Sequence, residues 1–301
     1  MKFTLLLIVG TALLLAVAVP RLPAQPSAHY PPGIEGIKAA TLPPPGFYLR
    51  DYNLFYYADR LNDADGDEIK AADPRAFIYA NVPRLLWITD WTFLGGHVGV
   101  DALLPFQYTD LRINTPAGRF DDSTFGVGDL FAEVTLSWHV PQADFAVGYG
   151  PWAPTGDSSA TDPTAPGAGF WTHLFTAGMT WYMDPERRWA LSALCRYEIN
   201  HDKSDVDFRP GQVFTVDYGL SYALTPAIDV GIAGYYQTQT TKNRGKDSPS
   251  AAKDKVAGIG PEVVLFCPKL GLFTSIRYHY EFLAEDRLQG HTGVITLTYR
   301  F

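Results

Sequence analysis

One segment of the chain, Leu130–Val140, has the sequence LFAEVTLSWHV. Its side chains alternate between two faces, as they do along a β-strand. One face carries the apolar residues Leu130, Ala132, Val134, Leu136, Trp138 and Val140, and the other carries Phe131, Glu133, Thr135, Ser137 and His139. The segment is close to the roughly ten residues with which a tilted strand crosses a bilayer. It therefore predicts a membrane-spanning strand with one lipid face and one inward face.

The same period of two recurs along the chain, and the connections between the periodic segments alternate in length. Short connections are predicted at 89–92, 141–143, 184–188, 224–226 and 268–270, and long polar ones at 105–126, 155–172 and 240–256. This asymmetry is typical of outer-membrane barrels, which have short periplasmic turns and longer external loops. We predict an all-β fold: a single closed antiparallel transmembrane β-barrel of about twelve strands. Its strands are 47–57, 77–88, 93–104, 127–140, 144–154, 173–183, 189–200, 212–223, 227–239, 257–267, 271–283 and 292–301.

The tryptophans favour this barrel over a soluble β-sandwich. Five of them, Trp87, Trp91, Trp138, Trp181 and Trp189, fall beside the predicted short turns, and Trp152 and Trp171 fall near the opposite rim. An indole ring prefers a membrane–water interface, where its apolar ring and its N–H group are both accommodated. A sandwich would place its tryptophans in the middle of strands instead.

The N-terminus predicts export. Lys2 precedes an apolar run at 3–19, and the small residue Ala24 follows it, which indicates a signal peptide over residues 1–24. A single membrane-anchoring helix is the alternative, although the run is at the short end for a membrane span. Residues 25–46 are rich in proline, and we expect a periplasmic segment that partly enters the barrel formed by residues 47–301.

Charge argues against one class of partner. Loss of Lys2 and Arg21 with the signal peptide leaves 22 basic residues against 32 acidic ones, a net charge of −10. This acidity disfavours nucleic acid as a partner, because the phosphate backbone is bound by basic surfaces. We predict no cofactor, and as partners the outer-membrane lipid and a small-molecule solute.

Many ionisable residues share the inward parity of their strands. A charge on the lipid face would cost about 2–4 kcal/mol near the midplane, so these residues are predicted to line the lumen. With inward aromatic residues the predicted lining is Asp129, Phe131, Glu133, Arg196, Glu198, Asp217, Asp229, Tyr235, Glu262, Phe266, Phe273, Arg277, His279, Glu281 and Arg300. The charges are expected to pair across neighbouring strands. Two interpretations stay open: an ion-paired polar filling, or a lumen that selects a small solute, with Phe131, Tyr235, Phe266 and Phe273 leaving room for an apolar one.

Two weaker patterns suggest chemistry. Ser137 and His139 lie two residues apart on one strand, a plausible spacing for a nucleophile and its base. Both face inward, whereas a lipid-cleaving site must face the bilayer, so we predict no catalytic residues. The closely spaced Asp63, Asp65 and Asp67 resemble a calcium loop, but Pro74 stands where the twelfth-position glutamate would be.

The last strand, 292–301, is amphipathic and ends on Phe301. A C-terminal aromatic residue on such a strand resembles the assembly signal of outer-membrane barrels. We therefore expect the chain to be recognised by the barrel-assembly machinery through Phe301.

Several short motifs carry a resemblance to a known family. They are AATLPPPGFY at 39–48, GVGDL at 126–130, APTG at 153–156, GAGFW at 167–171 and GPE at 260–262. With these motifs the chain resembles the transporter-like outer-membrane family labelled for the MetA pathway of phenol degradation. The resemblance implies a monomeric, porin-like barrel for passive uptake of a small hydrophobic or aromatic solute. A structural or adhesion barrel with a plugged lumen and an outer-membrane hydrolase remain the alternatives.

Overall fold

The computed structural model describes residues 28–116, 118–159, 162–248 and 252–301, so the predicted signal peptide lies outside the described residues. These residues form fourteen strands in one antiparallel sheet. The strands are β1 (Gly46–Leu61), β2 (Asp73–Phe93), β3 (Gly96–Leu103), β4 (Phe106–Thr115), β5 (Gly118–Val127), β6 (Leu130–Val140), β7 (Ala143–Ala153), β8 (Thr172–Tyr182), β9 (Trp189–Asn200), β10 (Val213–Thr225), β11 (Ile228–Gln239), β12 (Lys255–Cys267), β13 (Leu272–Glu285) and β14 (Leu288–Arg300). In the described part of the chain no helix is long and apolar enough to cross a membrane.

The sheet closes on itself because β1 pairs with both β14 and β2. Strands β3 and β4 pair with successive parts of β2, and β6 and β5 pair with β3 and β4 in turn. Strands β4 and β5 therefore extend the crossings of β3 and β6 rather than adding new ones. Pro105 lies at the break between β3 and β4, because proline has no N–H group for the ladder. The fourteen strands thus make twelve crossings, which confirms the predicted closed barrel.

Three predicted connections were wrong. The long loop expected at 105–126 is instead the hairpin of β4 and β5. Most of β5 is exposed and polar on both faces, so it has no period-two pattern to reveal a strand. The first short turn lies at 94–95, because β2 continues to Phe93 across a bulge. The last connection is only residues 286–287, because β13 and β14 are longer than predicted.

Burial in this fold is the reverse of burial in a soluble protein. Val134, Ile232 and Ile276 are 56%, 55% and 47% exposed, whereas Glu133 and Arg277 are buried. An apolar outer surface around a charged interior is stable only where lipid surrounds the barrel. This inversion gives the barrel a lipid face and a polar lumen.

The tryptophans follow the predicted placement with one exception. Trp91, Trp181 and Trp189 are exposed beside short turns, and Trp171 is exposed at the opposite end. Trp152 was predicted at the outer rim, but it is only 3% exposed and lies inside the lumen. The reason is register: Trp152 lies directly opposite the inward-facing Phe131, so both side chains point to the same side of the sheet.

Candidate functional site: the plugged lumen

The N-terminal segment, residues 28–45, lies inside the barrel, and we call it the plug. It runs along the lumen from the end with the long loops towards the end with the short turns. Its polar contacts with the wall include His29 with Glu198, Gly33 with Asp217, Ile37 with Glu262, Lys38 with Asp229 and Thr41 with Asp144. Wall carboxylates thus bind the plug along its length, chiefly through its backbone amides.

One plug residue, Glu35, is surrounded by three arginines of the wall. Its carboxylate lies 3.4 Å from Arg50, 3.5 Å from Arg84 and 4.0 Å from Arg196. The Tyr52 hydroxyl donates a 2.7 Å hydrogen bond to the same carboxylate. A buried carboxylate is costly unless it is paired, so this cluster fixes the middle of the plug.

Two of these arginines have acidic partners of their own on the wall. Arg84 donates two 2.8 Å hydrogen bonds to Asp101 and one of 3.0 Å to Glu133. Arg196 lies 2.6 Å from Asp217, and its guanidinium stacks 3.9 Å above the ring of plug residue Tyr30. The wall network therefore remains largely paired even without Glu35.

A second anchor joins the plug to β12 and β13. Arg277 lies 3.0 Å from Glu262 and also donates to the backbone carbonyl groups of Gly33 and Ile34. The predicted pairing of Arg277 with an acidic neighbour is thus confirmed. A side chain at Gly36 would place its Cβ 1.9 Å from a Glu262 carboxylate oxygen, so any larger residue there must displace the carboxylate that pairs with Arg277.

Three family motifs meet at Asp129, in the connection between β5 and β6. Its carboxylate accepts 2.8 Å hydrogen bonds from the Gly156 and Ala168 amides and lies 3.0 Å from His29 Nε2. Burial alone would raise the pKa of Asp129, but its bonds with His29 and these amides outweigh burial and hold that pKa below its usual range. Asp129 thus ties the plug and the 154–171 loop to the barrel wall.

A cavity of about 260 Å³ lies between the plug and the wall. For scale, a dry engineered cavity of about 150 Å³ accommodates benzene. Apolar residues dominate its lining, and they include Ile34, Tyr52, Leu54, Ile78, Ala80, Val82, Leu103 and Trp152. Its charged lining residues are Asp129, Glu281 and Arg287, with His29 beside them. The cavity therefore suits a compact, largely apolar molecule.

Most predicted lining residues are buried inside the barrel. They are Asp129, Phe131, Glu133, Arg196, Glu198, Asp217, Tyr235, Glu262, Arg277, His279 and Glu281. Asp229 is partly exposed and forms a 2.8 Å ion pair with Lys38 of the plug. The four inward aromatic residues do not meet in one apolar pocket. Only Tyr235 of that group lines the cavity, since Phe266 and Phe273 stack on each other at 4.1 Å beside the turn that joins their strands.

Pairing is not complete among the predicted charges. His279 is fully buried, and neither ring nitrogen has a hydrogen-bond partner among the described residues. Its ring instead meets the ring of Tyr235 edge-on at 5.2 Å. Arg300 is exposed at the rim and donates to the Pro45 carbonyl group. The expectation of an acidic partner was therefore wrong for these two residues.

Sequence reasoning missed Glu35, Arg50, Arg84 and Asp101. Asp101 could have been found, because it lies directly opposite the inward Glu133 on the neighbouring strand. The others belong to the plug and to the two first strands, whose alternation is irregular. Glu35 and its arginines meet only in the folded barrel.

The weaker patterns do not form sites. His139 lies 2.9 Å from Asp144, but the Ser137 hydroxyl has no hydrogen-bond partner within the described ranges, so the two are not coupled. In the proposed calcium loop, Asp63 accepts hydrogen bonds from the amides of Asp65 and Asp67 and thereby caps its own turn. No group of three or more acidic, histidine or cysteine residues that could hold a metal ion occurs in the described part of the chain.

Comparison with known proteins gives one family and one fold. The family described as "Putative MetA-pathway of phenol degradation" matches residues 58–297. An outer membrane channel from Pseudomonas putida F1 has a similar structure, with a TM-score of 0.77 and 16% identity over 90% of this chain and 100% of that chain. The translocator domain of the autotransporter NalP from Neisseria meningitidis has a TM-score of 0.50 and 13% identity over 85% of this chain and 89% of its own. At these identities the likeness shows the fold alone. None of the curated proteins compared with the chain matches it.

Proposed function

Since the chain belongs to the MetA-pathway family of phenol degradation, we propose that it is an outer-membrane channel for passive uptake of a small hydrophobic or aromatic solute. The observation that carries this proposal is the apolar cavity of about 260 Å³ between plug and wall. Most of the lumen is occupied by paired charges, so an apolar space within it calls for an explanation. The same proposal includes a monomeric barrel in the outer membrane.

The chemistry of the wall supports an apolar cargo. Tyr52, Leu54 and Trp152 are each less than 10% exposed and together face the plug. A solute that leaves water for such a wall gains about 25 cal/mol per Å² of apolar surface removed from water. Binding pockets for small molecules are typically apolar with a few placed polar groups, and this cavity has that composition. A sugar has no comparable apolar surface to bury against this wall.

One observation favours the alternative, a structural or adhesion barrel with a plugged lumen. On the short-turn side of the cavity, the plug and its ion pairs occupy the lumen, with Glu35 among its arginines and Arg277 on Glu262. If the plug never moves, a solute has no path along the barrel axis. Transport therefore requires that the solute leave the cavity by displacing part of the plug or the wall.

A cavity-filling variant tests the proposal. Ala80 lines the cavity on β2, so Ala80→Phe should reduce the rate at which proteoliposomes with a lipopolysaccharide outer layer, which slows unaided entry, take up an apolar aromatic such as toluene, relative to protein-free liposomes of the same composition. The matched control is Ala132→Phe, which adds the same ring to the exposed lipid face of β6. Equal uptake by both variants and the unaltered protein would contradict a role for the cavity. Uptake no faster than in protein-free liposomes would favour the structural or adhesion barrel.

A further inference from the structure

We propose that the cavity selects apolar solutes that carry a carboxylate, and that Arg287 binds this group. The inference rests on the proposed function and adds to it the chemical class of the solute. Arg287 lies in the two-residue turn between β13 and β14 and lines the cavity. Among the charged residues of that wall, Arg287 uses the smallest part of its hydrogen-bonding capacity.

The guanidinium of Arg287 has five N–H donors, and among the described residues it makes one hydrogen bond. That bond runs 3.2 Å from Nη1 to the neutral side chain of Gln237. The carboxylate of Asp254 lies 4.0 Å from the same nitrogen, beyond hydrogen-bonding distance. The Nε atom is buried and has no hydrogen-bond partner in the described ranges. Buried donors without partners are uncommon and costly, so this one indicates an acceptor that binds there.

The other charged groups of the wall differ from Arg287. Glu281 accepts hydrogen bonds from the hydroxyls of Tyr235 and Tyr56 at 2.9 Å and from the Gly290 amide at 2.8 Å. Asp129 likewise has three partners, two backbone amides and His29. Both carboxylates are therefore fully engaged with protein donors. In contrast, the Nε–H and Nη2–H groups of Arg287 make no hydrogen bond to the described residues. Their spacing matches the two oxygens of a carboxylate.

Shape and polarity agree with a small organic acid. The cavity has room for a substituted benzene ring, and its apolar wall includes Ile78, Ala80 and Val82. A neutral ring would gain the apolar contacts and leave the buried Nε–H group of Arg287 without an acceptor. A neutral ring therefore still binds, and an acid with the same ring binds more tightly because it also satisfies the polar group.

Binding to the purified full-length barrel tests the inference, with benzoate and benzyl alcohol as probes and calorimetry as the measurement. The two probes share a ring and differ in the charge of the head group. We expect benzoate to bind more tightly than benzyl alcohol. Arg287→Gln should weaken the affinity for benzoate on the order of ten- to a hundredfold and change the affinity for benzyl alcohol little. The matched control Arg75→Gln removes an exposed guanidinium of β2 that does not line the cavity and should leave both affinities unchanged.

Arg287→Lys keeps the positive charge and loses the paired N–H donors of the guanidinium, so it should weaken benzoate binding by a smaller factor than Arg287→Gln. The same variant tests the inference if Arg287→Gln does not give a folded barrel. An unchanged benzoate affinity in either variant, or an equal loss for both probes, overturns the inference. If the unaltered barrel binds benzyl alcohol and not benzoate, the inference fails while the cavity proposal stands. If it binds neither probe, the proposed function fails as well.

Discussion

Glu35 of the plug and Arg84 of β2 lie 3.5 Å apart, and they join the plug to the ion-pair network of the wall. Arg84 keeps Asp101 and Glu133 when Glu35 is removed, so the wall can remain assembled while the plug loses its central contact. The plug is therefore the part of the lumen that can be weakened by itself.

Glu35→Gln should loosen the plug. The neutral amide no longer balances Arg50, whereas Arg196 keeps Asp217, and removing one partner of a buried ion pair costs roughly 3–5 kcal/mol. We expect a higher single-channel conductance in planar bilayers than for the unaltered barrel. Glu186→Gln, at an exposed turn residue, is the matched control. Identical conductance in the two variants would show that Glu35 does not hold the plug.

A second contact between the plug and the wall, at Gly36, can be tested by substituting a single glycine. Gly36→Ala places a methyl group against the Glu262 carboxylate, which should disturb the ion pair with Arg277 and lower the free energy of unfolding in urea by about 1–3 kcal/mol. Gly293→Ala is the matched control, because no atom lies within 4 Å of the added Cβ. It should change stability by less than about 0.5 kcal/mol. Equal effects of the two substitutions would contradict the tight approach of plug and wall.

Asp129 should make stability depend on pH. Its pKa is lower in the folded barrel, so its stabilising contribution is complete above the unfolded pKa of about 3.9 and is lost as the pH falls through the folded pKa. Asp129→Asn should lower the free energy of unfolding by about 1–3 kcal/mol at pH 7, because one backbone amide loses its acceptor. The difference in the free energy of unfolding between the two proteins should be smaller at pH 3 than at pH 7, as measured by urea unfolding followed by tryptophan fluorescence. An equal difference in stability at both pH values would mean that the charge of Asp129 does not stabilise the barrel.

Deletion of Phe301 should impair assembly and not stability. Its ring is 72% exposed and contacts the Tyr299 ring edge-on at 5.1 Å, so little packing is lost from the folded barrel. We expect less folded protein in the membranes of cells that produce the shortened chain. Purified and refolded, the same chain should unfold at an unchanged urea concentration. Normal assembly in cells would refute the role of Phe301 as a signal for the assembly machinery.

The period of two predicted most of the barrel, because lipid on one side and charge on the other impose strict alternation. Glu133 and Arg196 were placed in the lumen on that basis alone, and both are buried there. Alternation failed in β5, where water on both faces removes the contrast. Trp152 was misplaced because it was assigned from its position near the rim, whereas alternation along β7 puts it on the inward face with Ala146 and Gly150.

The candidate site could be predicted only in part, because it is made by contacts across the whole chain. Glu35 meets Arg196 across 161 positions (196 − 35), and no local pattern in a proline-rich segment indicates such a partner. The cavity likewise exists only where the plug leaves part of the lumen unfilled. Whether the N–H donors of Arg287 have partners likewise depends on its neighbours in the fold, which the sequence does not show.

The most direct measurement of the central claim is uptake by whole cells whose gene for this protein has been deleted, with and without the gene restored. Labelled toluene, a sugar and ions of both signs would be compared. We predict that restoring the gene speeds toluene entry and leaves entry of the sugar and the inorganic ions unchanged, since these have no apolar surface to bury against the cavity wall. Equal toluene uptake with and without the gene would contradict transport through this barrel.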